Sequence, residues 1–436
     1  MNKKVSFYTL GCKVNQYDTH AMMEKFVDAG YEIVDFDEFA HVYIVNTCTV
    51  THISDRKSRQ MLRRAHRRNP DAIIGAVGCY AQTDAESLLT IPGIKLVLGN
   101  IDRHNIVDYI EKVEKTGLPI NGVGNIMKEG VFEETPISSY SERTRVVIKV
   151  QEGCNQFCSY CIIPYARGPI RSRQVEDVVD EIKRLASAGF KEVVLTGIHI
   201  TSYGKDLGNV ELIDLIESVH QIDGIERIRL GSLEPNYIDE RFVSRAKSLH
   251  KLCAHYHLSL QSGSDKTLKR MRRRYTTEEY KQVVARLRRM NSNVSITTDI
   301  MVGFPGETKA EFEESMRFVE DISFSRIHVF QYSPREGTPA ATFEDQVQPK
   351  IKAQRSERLI ELGKDLETRF KKRFIDRCES VLFEQKISGK DDLYEGYTSN
   401  YIKVVAKSDR DIQNEILPVS LYKVKDNAMA GSIKTQ

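Results

Sequence analysis

RVVIKVQ (145–151) followed by EGCNQFCSYC (152–161) sets a β-branched, strand-like run directly before a glycine and three cysteines. Cys154, Cys158 and Cys161 form a C-x3-C-x2-C loop. Thiolates at these intervals can wrap one cubane cluster while the backbone stays irregular. Structural zinc is the competing reading, but such a site takes four ligands. The next Cys or His along the chain is His199. Three thiolates without a fourth fit a [4Fe–4S] cluster whose last iron stays open. The compartment supports metal ligation. The start, MNKKVSFYTLGCKVN, is too short in apolar residues for a signal peptide, and no run of about 18 apolar residues suggests a membrane span. A cytoplasmic, reducing location is therefore expected, where the eight cysteines read as ligands or reactive thiols rather than disulfides.

Outward from that loop, strand-like runs recur at 145–151, 191–197, 225–231, 255–261, 294–300 and 326–332, with helical patterns between them. Six βα units suggest a barrel or a partly open barrel with its site beyond the carboxyl ends of the strands. An earlier alternation places strands at 4–10, 41–46, 72–77 and 94–99, the pattern of an open parallel α/β sheet. The expected α/β architecture is an amino-terminal sheet domain (1–113), a linker rich in Gly, Pro and Ser (114–142) and a partial barrel (143–350). A connecting helix (351–374) and a small all-β module (375–436) complete it. On that helix Leu359, Leu362, Leu366 and Phe370 recur at helical spacing after Pro349.

A second cysteine set is dispersed: Cys12 in LGCKVN, Cys48 in VNTCTVT and Cys79 in VGCYAQ. Each follows an expected strand, so in a parallel sheet all three emerge on one edge, where such sheets bind ligands. Taken singly, each is equally well a buried core cysteine. Together they point to a second cluster with an open iron. Cys253 and Cys378 read as structural thiols.

GCNQFCSYCIIPYARGPIRSR (153–173) resembles the cluster loop of radical S-adenosylmethionine enzymes, with Tyr160 matching the aromatic before the last cysteine. The two cysteine sets and the β tail resemble, across the whole chain, the radical S-adenosylmethionine methylthiotransferases. GCKVNQYDT, VNTCTVT, GCYAQ, HLSLQSG and TTDIMVGFPGET are most similar to the branch acting on threonylcarbamoyladenosine in tRNA, while GSLEP departs slightly from the commoner SSLEP. The resemblance implies a partial radical barrel and a carboxy-terminal TRAM barrel that binds tRNA. It also implies two [4Fe–4S] clusters, one on Cys154, Cys158 and Cys161 and an auxiliary one on Cys12, Cys48 and Cys79. The chemistry implied is insertion of sulfur and a methyl group at C2 of the adenine at position 37, next to the anticodon, with two S-adenosylmethionine molecules. Side-chain acid–base catalysis is not expected, because an unactivated C–H bond offers no such route. An electron donor such as flavodoxin or ferredoxin is expected, the sulfur donor stays open, and the chain is expected to be a monomer.

Around the expected site, alternation on HYHLSLQ sets His255, His257, Ser259 and Gln261 on one face. Tyr160, Gly197 with Thr196, Glu234, Ser259, Gln261 and Asp299 fall at or near strand ends and are candidate cofactor neighbours. For RNA, the candidates are the helical stripe Arg56, Arg59, Arg63 and Arg67, and the run KRMRRR (269–274) with Arg272 and Arg273. Overall charge says little: 64 basic against 61 acidic residues leave +3. The tail from 375 onward carries nine Lys or Arg against ten Asp or Glu, a net −1, so charge alone does not mark it as an RNA binder. The alternatives are the same chemistry on isopentenyladenosine or on a ribosomal-protein aspartate, an iron–sulfur electron carrier, and a zinc-containing binding protein.

Overall fold

The computed structural model describes residues 3–137, 144–390 and 392–434. The amino-terminal sheet holds β1 (Lys4–Thr9), β2 (Glu32–Val34), β3 (Val42–Thr47), β4 (Ile73–Gly78), β5 (Ile94–Leu98) and β6 (Ile120–Asn121). They lie in the order β2-β1-β3-β4-β5-β6, and every pair is parallel. Val42, Tyr43, Ile44 and Val45 of the central β3 are wholly buried, which explains their near-continuous apolar run. The stretch expected to be linker contributes β6, which pairs with β5 through Leu96 and Val97. Its Gly and Pro content masked a two-residue strand too short to carry a period. Residues 138–142 of that stretch, and position 143, lie outside the described residues.

The middle of the chain forms two four-stranded sheets that share a split strand. β7 (Arg145–Glu152), β9 (Glu192–Gly197) and β10 (Arg227–Leu230) pair in parallel, with β8 (Arg171–Ser172) antiparallel to β7. β11 (Ser232–Leu233), β12 (His255–Leu258), β13 (Ser295–Val302) and β14 (Arg326–Gln331) make the second parallel set. At Gly231 the third expected strand breaks: β10 pairs with β9, while its continuation β11 pairs with β12. The six-unit succession of the sequence is thereby kept, with a seam bridged between Ile228 and Leu252. One apolar core, including Ile148, Leu195, Leu230, Leu258 and Ile300, runs across both sheets.

The helix Pro349–Lys372 starts with proline in its first turn and buries Leu359, Leu366 and Phe370, with Leu362 partly buried. Beyond it, β15 (Arg377–Lys386), β16 (Leu393–Thr398), β17 (Lys403–Lys407), β18 (Ile416–Lys425) and β19 (Ala428–Ile433) close a barrel in the order β15-β16-β17-β19-β18. Phe383, Val404, Val419 and Met429 fill it. The module is docked against the amino ends of the central strands. Arg227 donates to the carbonyls of Tyr397 and Ser380, and Arg229 to those of Thr398 and Ser399. Tyr401, at φ +66°, lies with its ring 4.8 Å from that of His255, under the Arg229 guanidinium at 4.4 Å. Arg145 pairs with Glu384 of the module and stacks over Tyr397 at 4.8 Å. Among the described residues no helix is long and apolar enough to cross a membrane.

Candidate functional site

Cys12, Cys48 and Cys79 leave the carboxyl ends of β1, β3 and β4, three adjacent strands, so parallel pairing alone gathers them on one edge. Gly11 allows the gathering: at φ +101°, a Cβ on it would stand 3.0 Å from Cys48 Cβ and 3.1 Å from its sulfur. Burial pushes the Cys48 thiol up to about 11, with Cys79 and Cys12 close enough to add to the rise. Cys12 as a residue is exposed, yet burial of its thiol among these neighbours raises it too, opposed by the nearby guanidinium of Arg167. Such thiols become ligands by releasing their protons to solvent as the metal binds.

Cys154, Cys158 and Cys161 sit on the loop after β7. Gly153 is obligatory there, because at φ +73° a Cβ would meet the Pro169 carbonyl oxygen at 1.8 Å. The Cys154 amide donates to the Gly168 carbonyl at 3.0 Å, and that of Cys161 to the Cys158 carbonyl at 3.0 Å. Ser159 ties the loop to the end of the helix Asp265–Arg270, its amide donating to Met271 O and its hydroxyl to Arg270 O. Burial raises Cys154 to about 11 and Cys161 to about 12, each further raised by Cys158. Among the described residues no three His, Cys, Asp or Glu side chains converge as on a single metal ion. A cubane offers a separate iron to each thiolate, so its ligands need not meet at one point.

Both sulfur sets receive guanidinium donors. Arg273 donates to Cys158 Sγ at 3.3 Å and through Nη2 to both oxygens of Glu234 at 2.6 Å, while its Nε reaches the Tyr275 hydroxyl at 3.0 Å. Arg167 donates from Nε to Cys79 Sγ at 3.1 Å, and Asn100 from Nδ2 to the same sulfur at 3.7 Å. Donors aimed at sulfur suit thiolates, and this donor set fits iron–sulfur ligation.

The two edges face each other. Arg335, beyond β14, bonds Thr49 Oγ1 at 2.7 Å and Asp55 at 2.7 Å, so the barrel's last loop holds the segment following Cys48. The short helices Cys79–Thr83 and Ile163–Arg167 pack together between the cysteine sets.

The expected cofactor neighbours Tyr160, Gly197, Glu234, Ser259 and Gln261 are all half-buried. Gly197 pairs with Gln151 at the end of β9, and Tyr160 stands edge-on to Phe304 at 6.3 Å. Ser259 and Leu260 offer their carbonyls to Tyr275, while Gln261, at φ +68°, exchanges backbone bonds with Asp299 and Met301. His255 and His257 both bond Thr297 Oγ1, at 3.0 and 2.9 Å, and Asp299 lies 3.3 Å from His257. His199 is a further wall residue: burial lowers it to about 4, so the ring is neutral at pH 7, with Nδ1 on the Ser202 hydroxyl.

The basic residues divide. Arg56, Arg63 and Arg67 are exposed on the helix His52–Arg68 and form no ion pair among the described residues. Arg59 instead turns to the Tyr80 hydroxyl at 2.7 Å and is half-buried. Arg272 is exposed. Arg273, expected on an RNA-facing run, points inward with a side chain 5% exposed, drawn there by Glu234. The chain reverses at Arg272, φ +58°, which splits a run that looks uniform in sequence. Cys253 is buried, whereas Cys378 lies exposed on β15 rather than in a core. Sequence reading did not single out Arg167 or Arg335; Arg167 was visible only as one letter of PYARG.

Residues 148–319 match the family model of the radical SAM superfamily, and residues 4–99 match that of an uncharacterized protein family, UPF0004. A Bacillus subtilis protein called threonylcarbamoyladenosine tRNA methylthiotransferase MtaB is 43% identical over 96% of this chain and 94% of its own length. The chain belongs to the radical S-adenosylmethionine methylthiotransferase family. A Clostridium botulinum tRNA-2-methylthio-N(6)-dimethylallyladenosine synthase is 34% identical over 97% of this chain and 95% of its own. Among solved structures, a radical S-adenosylmethionine methyltransferase, TsrM from Kitasatospora setae, superposes with a TM-score of 0.59 at 16% identity. It covers 78% of this chain and 77% of that one, and bears on the fold alone. Family membership makes the chain a radical S-adenosylmethionine enzyme with a [4Fe–4S] cluster, and the β15–β19 barrel is consistent with a TRAM domain.

Proposed function

We propose that this enzyme methylthiolates C2 of threonylcarbamoyladenosine at position 37 of tRNA, with two [4Fe–4S] clusters and two S-adenosylmethionine molecules. The observation carrying this reading is the meeting of two three-thiol sets on facing strand edges, each with a guanidinium on one sulfur. When bound, the clusters and S-adenosylmethionine supply one-electron chemistry and a place to hold sulfur. Cys154, Cys158 and Cys161 would hold the first cluster, and Cys12, Cys48 and Cys79 the second.

The chain's own groups position and shield. Arg273, clamped by Glu234 and Tyr275, fixes the Cys158 sulfur. The half-buried wall of Tyr160, Gly197, Glu234, Ser259 and Gln261 would meet S-adenosylmethionine. Neutral His199 adds a polar surface without a charge. Arg335 ties the barrel loop to Thr49 and Asp55, which keeps the two edges apposed.

The threonylcarbamoyladenosine substrate rests on the higher identity to the relative carrying that name than to the dimethylallyladenosine synthase. Nucleoside mass spectrometry of tRNA from a deletion strain tests it. The methylthio form of threonylcarbamoyladenosine should vanish and return with the wild-type gene, while methylthio-isopentenyladenosine stays constant. Loss of the latter alone would reassign the substrate.

For RNA binding, the unpaired arginines of the helix His52–Arg68 are the best-exposed candidates. Arg63→Ala with Arg67→Ala should weaken tRNA binding and flatten its dependence on log salt by roughly two, one for each phosphate no longer neutralised. Filter binding across a salt series reads this. An unchanged slope would place the RNA elsewhere.

A further inference from the structure

Arg167 ends the short helix that follows the radical-domain cysteines, six residues after Cys161, yet its guanidinium serves the other cysteine set. Its side chain is wholly buried. Nε donates to Cys79 Sγ at 3.1 Å, Nη1 to Glu152 at 2.8 Å and to Asp18 at 3.2 Å, and Nη2 to the Asn15 side-chain oxygen. Asn15 is itself pinned by the carbonyls of Leu10 and Thr47, which shortly precede Cys12 and Cys48. On the opposite side, Gly168, the next residue, accepts the amide of Cys154. Two consecutive residues therefore touch the first cysteine of one set and the last of the other.

A carboxylate pair alone would not require this geometry. Asp18 also has Lys149 at 2.6 Å and Arg103 at 2.5 Å, and Glu152 has Lys149 at 3.4 Å. What sets Arg167 apart from Lys149 and Arg103 is an N–H aimed at sulfur. Hydrogen bonds and positive charge at a ligating thiolate stabilise the reduced, more negative form of an iron–sulfur cluster.

We propose that Arg167 is a positioning residue for the auxiliary cluster: it raises that cluster's reduction potential through Cys79 and locks it in register with the radical-domain loop. This rests on the two-cluster reading above. The test is redox titration of the full-length chain carrying Cys154→Ala, Cys158→Ala and Cys161→Ala, so that only the auxiliary cluster is observed. Adding Arg167→Gln should move its midpoint to a more negative potential at unchanged iron content. Arg167→Lys, which keeps the charge but not the fork of donors, should fall between the two.

An unchanged midpoint in Arg167→Gln overturns the proposal. If that variant holds no iron, Arg167→Lys decides: a midpoint shifted downward supports the role, and a wild-type midpoint overturns it. Absence of iron from the parent carrying Arg167 would instead refute the second cluster itself, a distinct result.

Discussion

Replacing Cys12, Cys48 and Cys79 together with alanine should abolish the methylthiolated nucleoside while leaving reductive cleavage of S-adenosylmethionine in place. Iron in the reconstituted protein should fall from about eight to about four per chain. The expectation follows from the separation of the two sets: Cys12, Cys48 and Cys79 end strands of the amino-terminal sheet, and the loop of Cys154, Cys158 and Cys161 is framed by Gly153, Gly168 and Met271. Cys154→Ala, Cys158→Ala and Cys161→Ala should by contrast remove both cleavage and product. Methylthiolation surviving in the first variant would end the assignment of an auxiliary cluster. A parent protein with about four iron would do the same without any mutation.

Glu192→Gln should be among the most destabilising single changes in the molecule, at about 3–5 kcal/mol. Glu192 is wholly buried and faces Arg229 at 2.7 Å, Arg227 at 3.7 Å and Arg145 at 3.9 Å. Removing its charge leaves three guanidiniums with one fewer anion where the carboxy-terminal barrel docks. Burial alone would raise its carboxyl, but Arg229 and then Arg145 and Arg227 hold it below the ordinary value of 4.5. A group depressed in the folded state stabilises above its unfolded value, and that contribution fades as pH falls through the folded one. The gap in melting temperature between wild type and Glu192→Gln should therefore be full near neutral pH and narrow on acidification below about 4.5. A gap independent of pH would mean that packing, not charge, sets the loss.

Much of this arrangement is legible in the sequence, for reasons that differ by element. The cysteine loop after β7 is a short-range pattern, and the three dispersed cysteines are readable because strand ends in a parallel sheet share an edge. Charge is the less faithful guide. KRMRRR reads as one RNA-facing basic run, yet the reversal at Arg272 sends Arg273 inward to Glu234 and Cys158. Arg167 could not be weighed from spacing, because its partners Asn15, Asp18 and Cys79 lie 88 to 152 residues away. The break at Gly231 was equally hidden, since splitting one strand between two sheets changes no periodicity. The net −1 of the tail has a structural counterpart: its carbonyls and Glu384 receive Arg145, Arg227 and Arg229, so the module presents acceptors to a basic floor.

That docking makes the molecule a gauge. The carboxy-terminal barrel grips Arg145 at the start of β7, and the cysteine loop begins just past Glu152 at its end. Eight residues of strand span roughly 25 Å. Arg227 and Arg229 are buried in that joint, and Arg145 is half-buried there. An RNA held by the module would be offered to the cysteine loop across that length of strand, and a stem too short or too long would leave its adenine out of register however well its base fitted.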